Sequence, residues 1–231
     1  MTGRLYGVGV GPGDPELVTL RAHRLIATAR IVAYPAPDSG TSFARAIVAD
    51  MIPAEAEEIP IVIPMRAARF PAQEIYDAAA AQIGARLDAG CDVVVLCEGD
   101  PLFYGSFMYL LMRLADRPVE IVPGVSALGA VAAAAARPLC ARNETLTVLP
   151  ATLPEDVLAA RMAGAEAIAV MKLGRHFAKA RGVIDRLGLG ARAIYVAHAA
   201  LPHAHICPLA AAPDTAPYFS MILVPGPESD G

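Results

Sequence analysis

Two stretches decide how this chain is read: GVGVGPGDP at 7–15 and VLCEGDPLFYG at 95–105. Each passes from apolar residues into glycine, then Asp-Pro, then a helix-like pattern. The apolar runs predict strands. The glycines predict tight turns with open main chain, and Asp-Pro predicts a helix cap followed by its first residue. Two such turns could hold a small molecule by backbone groups, with little need for charged side chains.

Outward from these turns the pattern alternates. Leu5 to Val10 predicts a strand, and Asp14 opens a helix that reaches about Thr28. Ile31 to Tyr34 predicts a strand, Ser42 to Met51 a helix and Ile59 to Ile63 a strand. Gln73 to Ala89 predicts a long helix ended by Gly90. Asp92 to Cys97 (DVVVLC) is near-continuously apolar, as a strand covered on both faces requires. A helix over Ser106 to Ala115 follows, then a strand over Val119 to Val122. The turn PGVS at 123–126 leads into a helix over Ala127 to Ala136.

Later strands are expected at Thr145–Leu149, Ala167–Met171, Ala193–Ala197 and Phe219–Val224, with helices near Glu155–Ala163 and Phe177–Leu187. PLAAAPDTAPY at 208–218 reads as a surface loop. This alternation predicts an α/β fold of two domains with mostly parallel sheets. The break at Arg117-Pro118 places the domains at 1–117 and 118–231.

Composition narrows the function classes. The chain has 231 residues, 55% hydrophobic and 18% charged, which suffices for a sizeable core. Its longest apolar run, Val125 to Ala136, falls well short of the roughly 20 residues that span a bilayer, so no membrane partner is expected. The net charge of −4 gives no global attraction to nucleic acid. The cysteines Cys91, Cys97, Cys140 and Cys207 form no C-x-x-C pair, so no zinc knuckle or redox motif is expected. His203 and His205 make an H-x-H without a Cys or carboxylate to complete a metal site. Reduced thiols and the lack of a signal-like N-terminal pattern point to the cytoplasm.

The glycine loop is not a dinucleotide or phosphate cradle. Counted from Gly7, the third glycine of G-x-G-x-x-G falls on Pro12; counted from Gly9, it falls on Asp14. Proline removes an N–H donor, and a carboxylate would repel pyrophosphate. The second strand ends in Tyr34-Pro35, without the acid that holds a ribose hydroxyl. No Lys-Ser/Thr pair follows the loop. Glu98 and Asp100 instead suit a cationic, amino-acid-bearing ligand that carries no phosphate. S-adenosylmethionine is such a ligand.

Four motifs in register, GVGVGPGDPELVTLRA at 7–22, CEGDPLFYGSFMYL at 97–110, PGVSAL at 123–128 and VMKLG at 170–174, resemble those of the tetrapyrrole methylases. The resemblance spans nearly the whole chain. It implies an S-adenosylmethionine-dependent methyltransferase that releases S-adenosylhomocysteine. It also implies a homodimer of two-domain α/β protomers with an active-site cleft between the domains. EGDPLFYGSFMYL is most similar to the branch that methylates C20 of precorrin-2, and the cobalt-loaded substrate of the anaerobic route is the alternative. A ribose methylase of ribosomal RNA and a non-catalytic cofactor sensor are the remaining readings.

Carried over by motif, the resemblance assigns cofactor contacts to Pro12, Gly99, Asp100, Phe103, Ser126, Ala127, Met171 and, in VAHAALP at 196–202, Ala199. Pro35 stands where related uroporphyrinogen methylases have an acid, which argues against uroporphyrinogen as substrate. The fifth region often carries an arginine and a glutamate in this family; here it has His198 and His203. Tyr104, Tyr109 and His198 are the candidate proton acceptors. The substrate carries many carboxylates, so Arg66, Arg69, Arg113, Arg142, Lys172 and Arg175 are candidates to pair with them.

Overall fold

A computed structural model describes residues 2–64 and 71–230. It divides into two compact units, Met1–Ser126 and Ala127–Gly231. The first unit contains β1 (Leu5–Gly9), α1 (Leu20–Ala27), β2 (Ile31–Pro37), α2 (Phe43–Ile47), β3 (Glu57–Ile63), α3 (Pro71–Asp88), β4 (Val93–Cys97), α4 (Phe107–Arg113) and β5 (Val119–Val122). The boundary lies beyond the expected break at 117/118 because β5 pairs in parallel with β1, Leu5 opposite Val119 and Val8 opposite Val122. The sheet, ordered β3-β2-β4-β1-β5, is wholly parallel.

Side-chain alternation along each strand feeds two cores. Leu5, Val93, Val95 and Cys97 pack with α3 and α4 through Ile83, Leu87, Phe107 and Leu110. Val8, Val10, Val94 and Leu96 pack with Ala22 and Ile26 of α1 and with Ala44 and Ile47 of α2. The apolar strand β4 thus serves both faces, as its composition predicts. β1 departs through α1 toward β2, and β4 departs through α4 toward β5 on the opposite face. Their adjacent carboxyl ends therefore form a topological switch point, the place where open α/β sheets admit ligands.

The helix expected to run unbroken from Asp14 is divided. Asp14 caps a single 3-10 turn, Pro15–Leu17, by accepting the Glu16 N–H at 2.9 Å. Val18 is extended, and Thr19 caps α1 afresh by accepting the Ala22 N–H. The separate caps leave the chain one turn of slack between the glycine loop and α1.

The second unit contains α5 (Ala127–Ala135), β6 (Leu146–Pro150), α6 (Glu155–Met162), β7 (Ala167–Met171), α7 (Phe177–Arg186), β8 (Ile194–Ala197), β9 (His205–Pro208) and β10 (Ser220–Val224). Its sheet is ordered β6-β7-β10-β8-β9. It is mixed, which corrects the expectation of a mostly parallel sheet here. Only β6 and β7 pair in parallel; β10 runs antiparallel to β7 and β8, and β9 runs antiparallel to β8. The connection from β8 to β9 is too short for the crossover that a parallel pair requires. Part of the segment expected to be loop is ordered too: β9 takes Pro208, and Leu209 and Ala212 are buried. The core unites α6 and α7 with the sheet through Leu158, Met162, Phe177, Val183, Ile184 and Tyr195.

Among the described residues no helix is long and apolar enough to cross a membrane, and no cluster of His, Cys, Asp or Glu could hold a metal. All four cysteines are free, with Cys97 buried.

Candidate active site

In the first unit three turns meet at the switch point. The main chains after β1 and β4 are joined directly: Gly99 N–H donates to Gly11 O at 2.7 Å, Gly11 N–H to Gly99 O at 3.3 Å, and Val10 N–H to Cys97 O at 2.9 Å. The third turn, after β5, is tied in by Asp100, whose Oδ2 accepts the Gly124 N–H at 3.1 Å. The other oxygen of Asp100 accepts from Leu102 N–H at 2.9 Å and Phe103 N–H at 3.2 Å. Asp100 is thus the clasp of the rim. Its expected hydrogen bond to a ligand competes with bonds it already makes.

Glycine is required where these turns touch. A Cβ on Gly9 would lie 2.6 Å from Gly124 N and Gly99 O, and one on Gly124 would overlap Gly99 O. Gly11 and Gly99 also have φ of +79° and +63°, a region that L side chains rarely enter. The result is a rim made almost wholly of main chain.

The carboxylates at this rim are Asp14, Glu98 and Asp100. Burial pushes the Glu98 carboxyl up from its usual range, although it accepts backbone N–H groups, including that of Ala44 at the start of α2. Burial, with Glu98 and Asp100 nearby, also raises the Cys97 thiol well above its usual range, leaving it inert. Turns that carry three carboxylates fit a sulfonium-bearing, phosphate-free donor such as S-adenosylmethionine. Of the expected contacts, Pro12, Gly99, Asp100, Phe103 and Ser126 lie on these turns, and Ala127 opens α5 in the second unit.

A second set gathers at one edge of the second sheet. Ile222 of β10 stands opposite both Val170 of β7 and Tyr195 of β8, so the carboxyl ends of β7 and β8 lie nearly level. Lys172 and His198 are the first residues past those strands. Both are left-handed, with φ of +57° and +54°, a costly state for non-glycine residues. Met171 and Ala199 lie beside them. His198 N–H donates to Phe219 O at 2.9 Å, and His198 O accepts from Leu201 N–H at 2.9 Å. Its ring lies against His203, centroids 4.7 Å apart. Burial and then the His203 charge push its pKa below the ordinary histidine value.

The remaining candidates are dispersed. Tyr104 is exposed on the turn after β4, its ring edge-on to Phe103. Tyr109 is on α4, its ring 4.9 Å from that of Tyr76 on α3. Arg113 is occupied by Asp77 at 2.6 Å and by the carbonyls of Tyr109 and Gln73, so it joins α4 to α3. Arg142 and Arg175 are exposed in the second unit. Arg66 and Arg69 lie outside the described residues. Sequence reasoning did not single out Gly9 and Gly124, although a glycine at the end of a strand, repeated in adjoining turns, is the available signal. It also missed Phe219, which no local pattern marks.

The family model of the tetrapyrrole (corrin/porphyrin) methylases matches residues 4–212. The precorrin-2 C(20)-methyltransferase of Sinorhizobium sp is 41% identical over 97% of this chain and 96% of its own length. The cobalt-precorrin-2 C(20)-methyltransferase of Salmonella typhimurium is 32% identical over 97% of each. Among solved structures, uroporphyrin-III C-methyl transferase from Thermus thermophilus, complexed with S-adenyl homocysteine, is 26% identical. It aligns with a TM-score of 0.71 over 96% of this chain and 97% of that one.

Proposed function

The chain belongs to the tetrapyrrole methylase family, and from that premise we propose that it transfers a methyl group from S-adenosylmethionine to C20 of precorrin-2 in cobalamin biosynthesis, releasing S-adenosylhomocysteine. The observation that carries this reading is the 41% identity, which extends over nearly the full length of both chains. The lower identity to the relative named for cobalt-precorrin-2 favours the metal-free substrate.

The donor supplies an electrophilic methyl carbon; the protein's part is placement. Displacement at a sulfonium disperses charge, so a strong counter-charge is not required. Rigid turns that fix the reacting atoms and keep water out are worth more. The main-chain bonds of the first unit's rim support that role. In this reading Gly99, Phe103, Pro12 and Ser126 bind the donor, Asp100 orients the turns that do so, and Ala127, Met171 and Ala199 supply further contacts. Arg142, Lys172 and Arg175 take substrate carboxylates.

The same proposal has the enzyme act in the cytoplasm as a homodimer, which light scattering of the purified protein tests. The function itself is tested by incubating the protein with S-adenosylmethionine and either metal-free or cobalt-loaded precorrin-2. Mass spectrometry should find one added methyl on the metal-free substrate. Methylation of the cobalt form alone would replace the substrate, and no methylation of either would end the reading.

A further inference from the structure

The edge formed by β7 and β8 holds a histidine whose placement is over-determined. Both backbone groups of His198 are bonded, to Phe219 and Leu201, and together they hold the residue at φ +54°. Non-glycine residues persist there only when the surroundings impose it, and such strain gathers where a side chain must be aimed. Histidine is among the residues that tolerate the region. The Nδ1 atom is buried and has no hydrogen-bond partner among the described residues.

That orphan decides the tautomer. A proton on Nδ1 would be a buried N–H with no acceptor, and orphaned buried N–H groups are rarer in native structures than bare acceptors. The proton of the neutral ring therefore belongs on Nε2. The doubly protonated ring carries the same penalty and adds repulsion from His203, whose ring lies 4.7 Å away. The other titratable groups on the elements around it are His205, opposite Ala197 on β9, Tyr218, next to Phe219 on the chain entering β10, and Lys172, beyond β10 at the end of β7. A ring with Nδ1 bare and Nε2 already protonated is a poor proton acceptor at its accessible nitrogen. It is a well-aimed donor.

We propose that His198 is held as the neutral Nε2–H tautomer and donates that hydrogen to a carboxylate of a bound ligand at the β7–β8 edge. It thereby acts in recognition and leaves the reacting proton alone. The inference rests on the proposed methyl transfer for its ligand, because both substrates of that reaction bear carboxylates: the acid side chains of the tetrapyrrole and the amino-acid end of the methyl donor. Lys172, at the end of β7 one strand further along the sheet, makes the edge more favourable to such a group.

Nitrogen-15 NMR of the ring, between pH 7 and 8 in the unliganded protein, should show Nε2 protonated and Nδ1 bare. An Nδ1–H tautomer or a doubly protonated ring overturns the inference. In the His198→Ala variant the affinity for one carboxylate-bearing ligand should fall about 10-fold, the worth of a hydrogen bond to a charged group, while turnover changes less than about threefold. Calorimetry with S-adenosylhomocysteine and the KM for precorrin-2 distinguish the two sources. His198→Asn, which keeps an N–H donor and accepts left-handed φ, should restore most of the loss. Unchanged affinity for both ligands overturns the proposal, as does a turnover rate reduced about 100-fold with both affinities intact. Wild-type protein that methylates nothing would overturn the functional reading and with it the ligand, whereas a wrong tautomer defeats this inference alone.

Discussion

The rim of the first unit and the edge of the second both form where strands running the same way end, yet they are built from opposite materials. The rim brings three turns so close that side chains are excluded: Gly9, Gly99 and Gly124 touch through main-chain atoms, and Gly11 and Gly99 exchange hydrogen bonds. The edge forces Lys172 and His198, large side chains, into the left-handed conformation, which on the turns of the rim is taken by Gly11 and Gly99 and by one non-glycine residue, Tyr104. The first design fixes shape mainly through main chain. The second accepts strain in order to aim functional groups. Close-packed main chain and strained side chains are thus separated between the two units.

The largest test of this contrast is Gly124→Ala. Its Cβ would overlap Gly99 O and crowd Gly9, so the turns must part. We expect a loss of about 3 kcal/mol in stability, at the upper end of overpacking costs, together with loss of S-adenosylhomocysteine binding by calorimetry. Normal binding by this variant would show that the rim tolerates side chains after all. Asp100→Ala should come next, at about 2 kcal/mol, because three backbone donors lose a charged acceptor together. Denaturant melts measure it, and a change under about 0.5 kcal/mol, the usual range for a surface substitution, would remove Asp100 as the clasp.

Lys172→Gly tests the other side of the comparison. Relief of the left-handed backbone should raise stability by about 1 kcal/mol while the KM for the tetrapyrrole rises. A destabilised variant would mean that the side chain's own contacts outweigh the strain. The smallest effect belongs to Glu98→Gln. The carboxyl of Glu98 is raised by burial, so its stabilising contribution is complete below the ordinary glutamate value and is lost as pH rises through the raised one. The glutamine variant should therefore gain on wild type between pH 4 and pH 8 in paired urea melts. A constant difference across that range would place the Glu98 carboxylate in contact with water.

The same contrast explains what was legible in the chain. The first unit reads well because its rules are local. DVVVLC announces a doubly covered strand, and glycines before Asp-Pro announce turns whose backbone must be open. The parallel sheet and the approach of Gly99 to the first loop follow from that pattern. The second unit reads less well because its decisive features are not local. HICP at 205–208 has an exposed, polar start and a proline end, which suits an edge strand but does not predict one, so the reversal of β9 and β10 is invisible in composition. Nothing in VAHAALP marks His198 as left-handed; that follows from its bonds to Phe219 and Leu201, the first of which is distant in sequence. Likewise Arg113 reads as a free cation until α3 brings Asp77 to it.

The reciprocal Gly11–Gly99 pairing also bears on how this enzyme can change. A latch made of peptide groups has no side chain to delete, so most substitutions in the surrounding loops leave it shut. Leu102, which is exposed, and Val125, which is half-buried, carry side chains on these turns that can be rewritten without touching the peptide pairing. Under the proposed function, a library confined to those side chains should change acceptor choice more often than it abolishes donor binding.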